Sequence, residues 1–226
     1  MPVPQVPREG SSPTGQIQLI LGPMFSGKST ELIRRLKRYQ VAQYKVMMVK
    51  YAKDQRYDET GIATHCGQVL PAVAAEHLEE LEHRATDYEV IGIDEGQFFP
   101  DIVAWCEVMA NRGKIVLVAA LDGTFQRRPF PEMMALVPLA EAVTKLQAVC
   151  MLCFQEAAFS KRTTSESSVE VIGGADKYMA VCRRCYFSQG TVAHPPAPGG
   201  EDMARREGGW GGGRWDMMVN IGPLKK

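Results

Sequence analysis

The chain has 226 residues, and its 26 basic and 26 acidic side chains cancel to a formal charge of zero. That length accommodates one or two domains with a proper core, and 45% hydrophobic with 23% charged residues is the make-up of an ordinary soluble protein. Neutrality argues against a protein that coats nucleic acid or anionic membrane, and the longest apolar run, Ile115 to Leu121, is too short to span a bilayer.

In chain order, the first stretch carries prolines at 2, 4, 7 and 13 and lacks the basic-then-apolar layout of a secretory signal, so a cytoplasmic protein without a membrane partner is expected. Residues 1–15 and 190–226 hold 19 of the glycines and prolines, including the low-complexity run from Gly208 to Trp215, and read as flexible tails. Ser12-Pro13 is a candidate proline-directed phosphorylation site. Between the tails, residues 16–145 read as an α/β nucleotide-binding domain and 146–189 as a small cysteine-bearing domain. Residues 16–189 carry 20 basic and 21 acidic side chains, which speaks against direct nucleic-acid binding.

Gln16 to Leu21 is a short β-prone run. From Ser29 to Gln40, Leu32, Ile33, Leu36 and Tyr39 recur at helical spacing, while Arg34, Arg35, Lys37 and Arg38 fall mainly on the other side and read as a solvated face. Lys45 to Tyr51, Glu89 to Asp94 and Lys114 to Asp122 read as further strands. Asp101 to Arg112 reads as a helix with Ile102, Trp105, Cys106 and Met109 along one face, and Gly113 sits where a left-handed cap belongs. Near-continuous apolar strands alternating with amphipathic helices predict a parallel sheet covered on both faces.

Between the first strand and the first helix, Gly22, Pro23, Met24, Phe25, Ser26, Gly27, Lys28 and Ser29 match G-x-x-x-x-G-K-[ST] in full. The glycines let backbone N–H groups curl around phosphate oxygens, and the helix N-terminus favours negative charge there. Lys28 would reach the β- and γ-phosphates of ATP, and the Ser29 hydroxyl would ligate Mg²⁺. Downstream, Asp94 and Glu95 end an apolar strand, where open α/β sheets collect their ligands. Asp94 suits a role beside Mg²⁺, and Glu95 that of a general base. From these residues alone, Glu95 activates either a water, as in an ATPase, or a substrate hydroxyl, as in a kinase.

Cys150, Cys153, Cys182 and Cys185 form two C-x₂-C pairs, the usual four-thiolate arrangement for structural Zn²⁺. Cys66 and Cys106 have no partner at metal spacing, and Cys106 reads as a buried apolar residue. The expected fold class is therefore α/β: a RecA-like P-loop parallel sheet with helices on both faces, plus a small zinc-ribbon domain.

Several runs resemble the type II, cytosolic-type thymidine kinases, and an animal member in particular. They are Ile17 to Leu32, Lys50 to Asp54, Ile93 to Asp101, Ala120 to Arg127 and Val171 to Tyr178, together with both cysteine pairs. The resemblance covers residues 16–187, with the motifs in family order. It implies ATP-dependent phosphorylation of the thymidine 5′-hydroxyl, with Glu95 as catalytic base. It also implies that Asp94, Glu95, Gly96 and Gln97, and Asp54, Gln55 and Arg56, line the nucleotide site beside Gly22 to Ser29. Phe125 would pack against thymine, and a lasso between the cysteine pairs would close over the base, with Val169, Glu170, Val171, Ile172, Gly173 and Tyr178 contacting it. A homotetramer, with a dimer as the alternative assembly, and feedback inhibition by thymidine triphosphate are further implications. Ser160 departs from the family's usual threonine, leaving one methyl fewer near the base. The competing readings are a RecA-like ATPase whose zinc ribbon holds nucleic acid, and a non-enzymatic zinc-bound scaffold, which the complete phosphate loop disfavours.

Overall fold

A computed structural model describes residues 15–53, 61–63, 69–163 and 177–188. Strands β1 (Gln16–Gly22), β2 (Val46–Tyr51), β5 (Val73–Ala75), β6 (Val90–Ile93), β7 (Ile115–Leu121) and β8 (Ala142–Lys145) form one parallel sheet in the order β5-β2-β6-β7-β1-β8. Two short strands, β3 (Gly61–Ala63) and β4 (Val69–Pro71), pair antiparallel outside it.

The sheet divides the core in two because side chains alternate along each strand. On one face Leu19, Ile91, Ile93, Val116 and Val118 pack against α2 (Glu82–Ala85), α3 (Ile102–Asn111) and α4 (Pro131–Leu136) through Ala85, Ile102, Trp105, Met109, Met133 and Leu136. On the other, Ile20, Met48, Leu117 and Ala119 meet Leu32, Ile33, Leu36 and Tyr39 of α1 (Lys28–Val41). The expected parallel sheet with helices on both faces is the architecture found. Gly92 lets α1 lie close, since a Cβ there would come within 2.5 Å of Leu36 Cδ1. Gly113, at φ 83°, ends α3 in the left-handed conformation its position predicted.

One expectation about α1 is corrected. Arg34 remains on the surface, but the Arg35 guanidinium is drawn inward by Glu31, 2.8 Å away, and donates to the Gln18 and Thr144 side chains at 3.2 and 3.0 Å. A helical-wheel reading misses this because both amide and hydroxyl belong to strands far away in sequence.

The cysteine-bearing segment folds from short pieces. Strands β9 (Ala148–Val149) and β10 (Glu156–Ala157) pair antiparallel, as do β11 (Phe159–Arg162) and β12 (Tyr178–Val181), and α5 (Arg183–Phe187) follows. Ala148, Ala157, Ala180 and Val181 form a third apolar cluster around Cys150, Cys153 and Cys185. The terminal tails with Ser12, and Cys66, lie outside the described residues.

Candidate active site

The strand order decides what meets. β6, β7 and β1 are neighbours, so the chain leaving their C-terminal ends converges on one rim: Gly22 to Ser29 after β1, Asp94 to Gln97 after β6, and Asp122 to Phe125 after β7.

After β1 the chain turns sharply. A Cβ at Gly22 would lie 2.7 Å from the Leu146 carbonyl oxygen, so only glycine fits that approach. Phe25 and Gly27 take left-handed conformations at φ 64° and 79°. Within the loop, the Pro23 carbonyl accepts from the Ser26 hydroxyl at 2.8 Å and from Lys28 Nζ at 2.9 Å. Gly27 precedes the first turn of α1 and offers no side-chain cap, so the N–H groups of that turn face the loop's hollow as an anion site.

Beside this hollow the Ser29 hydroxyl donates to Asp94 Oδ1 at 3.1 Å. Asp94 is buried, and burial pushes its carboxyl well above the ordinary range. The neighbouring Glu95 charge adds to that rise, while the Ser29 hydroxyl and the Lys28 ammonium oppose it. A hydroxyl and a charge-starved carboxylate side by side fit a hard divalent cation. Glu95 adopts a left-handed backbone, φ 53°, an uncommon state for a side-chain-bearing residue and one that clusters at active sites. Its carboxylate accepts from Gln97 Nε2 at 2.6 Å, and Gln97 Oε1 accepts the Leu121 N–H at 3.0 Å. The buried Gln97 amide therefore cannot flip without breaking both bonds, and it aims Glu95 from a fixed strand end. Gly96 packs so tightly that a Cβ would meet Val118 Cγ1 at 2.5 Å.

Across the rim, Phe125 is half-buried and the Arg162 guanidinium lies over its ring, 3.9 Å from the centroid. Arg162 also donates to the hydroxyl of the buried Tyr178, so one arginine brings together two residues implied for nucleoside contact. No local sequence signal marks Arg162. Ser160 is buried, and its hydroxyl accepts the Met24 N–H of the phosphate loop at 3.0 Å. A threonine shares that hydroxyl, so the bond survives the departure from the family pattern. Asp122 and Lys145, 2.8 Å apart, bridge the strand ends on either side of β1. Asp54, Gln55 and Arg56, and Val169, Glu170, Val171, Ile172 and Gly173, lie outside the described residues.

The sulfur atoms of Cys150, Cys153, Cys182 and Cys185 all lie within 4.8 Å of one another, and Cys153 Sγ is 3.6 Å from Cys182 Sγ. Tetrahedral zinc with bonds of about 2.3 Å places its sulfurs about 3.8 Å apart, so the four fit the ion. Burial works against the Cys150 thiolate, but the N–H groups of Cys182, Leu152 and Cys153 outweigh it and lower the thiol. Cys182 is lowered first by the Cys185 N–H, whereas burial raises Cys185. Cys106 is buried on α3 as expected.

The profile of the thymidine kinase family matches residues 15–186. The chain belongs to that family. The human cytosolic thymidine kinase (Homo sapiens) is 57% identical over 212 residues, covering 89% of this chain and 90% of the relative. The cytosolic thymidine kinase of Gallus gallus is 60% identical over 183 residues, 81% of this chain and 82% of the relative. The thymidine kinase of Variola virus is 62% identical over 173 residues, covering 76% of this chain and 97% of its own. The family match begins at β1 and ends within α5, so it takes in every described element of the rim and the whole cysteine cluster.

Proposed function

We propose that this chain transfers the γ-phosphoryl group of ATP to the 5′-hydroxyl of thymidine, giving thymidine monophosphate and ADP. The observation that carries it is the convergence of the phosphate loop, the Asp94–Glu95 pair and Phe125 on one rim, in a chain of this family. Glu95, aimed by Gln97, accepts the hydroxyl proton as the oxygen attacks the γ-phosphorus and the bond to the bridging oxygen of ADP breaks. Lys28 and the uncapped N–H groups of α1 hold the phosphates. Ser29 and Asp94 would hold Mg²⁺, which when bound neutralises phosphate charge. Thymine packs on the part of Phe125 that Arg162 leaves open, with Tyr178 nearby.

The division of labour is a nucleotide-binding part, residues 16–145, and a cysteine-bearing part, residues 146–189, which closes over the nucleoside. Cys150, Cys153, Cys182 and Cys185 would hold Zn²⁺ in a structural role, tying the second part together. Elemental analysis is expected to find one zinc per chain, and a Cys150→Ser/Cys182→Ser variant is expected to lose it and melt at lower temperature. Normal zinc content in that variant would contradict the ligand set. The family resemblance further supports a homotetramer, feedback inhibition by thymidine triphosphate and a cytoplasmic setting. No helix among the described residues is long and apolar enough to cross a membrane.

The deciding experiment is phosphoryl transfer from ATP across a panel of nucleosides, run beside a Glu95→Gln variant. Thymidine should be phosphorylated, and the variant should bind both substrates while losing about 10²–10⁴ of its turnover. Near-wild-type turnover would remove Glu95 from the base role. ATP hydrolysis stimulated by single-stranded DNA, with no nucleoside phosphorylated, would favour the ATPase reading instead.

A further inference from the structure

The loop leaving β7 folds back on itself. Gly123 and Pro129 form an antiparallel bridge, and the Thr124 N–H donates to the Arg128 carbonyl at 2.8 Å. The Arg127 N–H returns to the Thr124 carbonyl at 2.9 Å, and Thr124 Oγ1 accepts from the N–H groups of Gln126 and Arg128, each at 3.2 Å. This closure places Arg127 at φ 60°, in the left-handed region where an L side chain crowds its own backbone. Glycine or asparagine would fill such a turn with less strain, yet the residue is an arginine.

Its guanidinium accounts for the choice. The Arg127 Cζ lies 4.5 Å from the ring centroid of Phe187, 4.8 Å from Tyr186 and 5.6 Å from Phe159. These rings belong to α5 and β11 of the cysteine-bearing part and pack on one another, at 5.3 Å between Tyr186 and Phe187 and 6.0 Å between Phe159 and Tyr186. The Tyr186 hydroxyl also donates to the Phe125 carbonyl at 2.7 Å. Two residues of the loop are therefore held by the same aromatic cluster, one through its side chain and one through its backbone. Phe159 and Tyr186 are half-buried against the apolar cluster around the cysteines, whereas Phe187 is 60% exposed and adds little to the core. Strained backbone persists where the surroundings over-determine it, and the three rings do so here.

We propose that Arg127 is a positioning residue for the nucleoside site: seated among Phe159, Tyr186 and Phe187, it fixes the loop that presents Phe125. A planar guanidinium suits that seat better than an ammonium, because it stacks on ring faces as well as being attracted by them. Phe159 directly precedes Ser160, whose hydroxyl takes the Met24 N–H, so the cluster clamps the Phe125 loop to the strand that also touches the phosphate loop.

The inference rests on Phe125 belonging to the nucleoside site, and the test separates the two. KM for thymidine and KM for ATP are measured, with thermal melts, for Arg127→Gly, Arg127→Lys and Phe125→Leu. Arg127→Gly is expected to raise the thymidine KM about fivefold and to leave the ATP KM within about twofold. Relief of the left-handed backbone should keep its melting temperature close to wild type. Arg127→Lys, which keeps the charge and loses the stacking, should fall between Arg127→Gly and wild type. A thymidine KM within about twofold of wild type in Arg127→Gly, with Phe125→Leu raising it, overturns the role of Arg127. So does a parallel rise of both KM values with a lowered melting temperature, which is the mark of a merely structural residue. An unchanged thymidine KM in Phe125→Leu overturns the placement of Phe125 itself.

Discussion

Gln97→Met keeps the length of the side chain and removes both of its hydrogen bonds. The bond to Glu95, 2.6 Å, ends on a carboxylate, and bonds of that kind are worth about 1.5–3 kcal/mol. The bond from the Leu121 N–H, 3.0 Å, leaves a backbone donor beside the sheet unsatisfied, at a cost of about 1–3 kcal/mol. Allowing for relaxation, the fold should lose about 2–4 kcal/mol, or roughly 5–15 °C in melting temperature for a domain of this size. If Gln97 orients the base, kcat should also fall about 10–100-fold, the rate equivalent of the lost carboxylate bond. Gln97→Glu provides the contrast. It retains an acceptor for the Leu121 N–H but sets a second carboxylate where a donor stood. Stability should then hold better at acidic pH, where the pair keeps its shared proton, and fall as pH rises, while the acidic limb of kcat/KM moves to higher pH for the same reason. The assays are coupled ADP release across pH and differential scanning calorimetry. A Gln97→Met enzyme whose melting temperature drops while kcat stays within about threefold of wild type would refute the orienting role and leave only the packing one.

Two further outcomes follow from contacts away from the rim. Gly92→Ala drives a methyl into Leu36 and should cost about 1–3 kcal/mol, while Leu36→Ala alone should cost about 2–5 kcal/mol. Urea unfolding should show the double variant less destabilised than the two singles added together, and strict additivity would deny the contact. Arg34, with Arg35, holds the Glu31 carboxyl down at about 2, below the ordinary 4.5, even though burial pulls the other way. A carboxyl lowered in the folded state stabilises above its unfolded value, so this contribution is present above pH 4.5 and is lost as pH falls toward 2. The gap in melting temperature between wild type and Glu31→Gln should narrow across that window, and a gap independent of pH would contradict the pairing.

What was legible along the chain depended on how local its cause was. β1, β6 and β7 announce themselves because both of their faces are covered, which demands unbroken apolar runs such as Ile115 to Leu121. β8 at the sheet's edge does not: Ala142, Val143, Thr144 and Lys145 alternate between half-buried and exposed and form no unbroken apolar run. The phosphate loop is legible because eight neighbouring positions, Gly22 to Ser29, carry the whole chemical requirement, and the cysteine site because it consists of two four-residue C-x₂-C pairs. Gln97 illustrates the limit. Its family position could be expected to line the nucleotide site, but its bond to the Leu121 backbone depends on β6 and β7 lying side by side. Arg35, Arg127 and Arg162 go further, since each looks like a surface charge until strands and rings from distant parts of the chain surround it.

The strand order also bears on how this protein emerges from the ribosome. β1 lies between β7 and β8 and pairs with no other strand of the sheet, so Gln16 to Gly22 are made early and must wait about a hundred residues for the first neighbour. Until Ile115 to Leu121 have been synthesised, the nascent chain carries an apolar strand with both edges open and a phosphate loop with no strand beside it. Nucleotide affinity should therefore arise in a single late event rather than growing with chain length. The same delay makes β1 the segment for which a holding chaperone has the most to do.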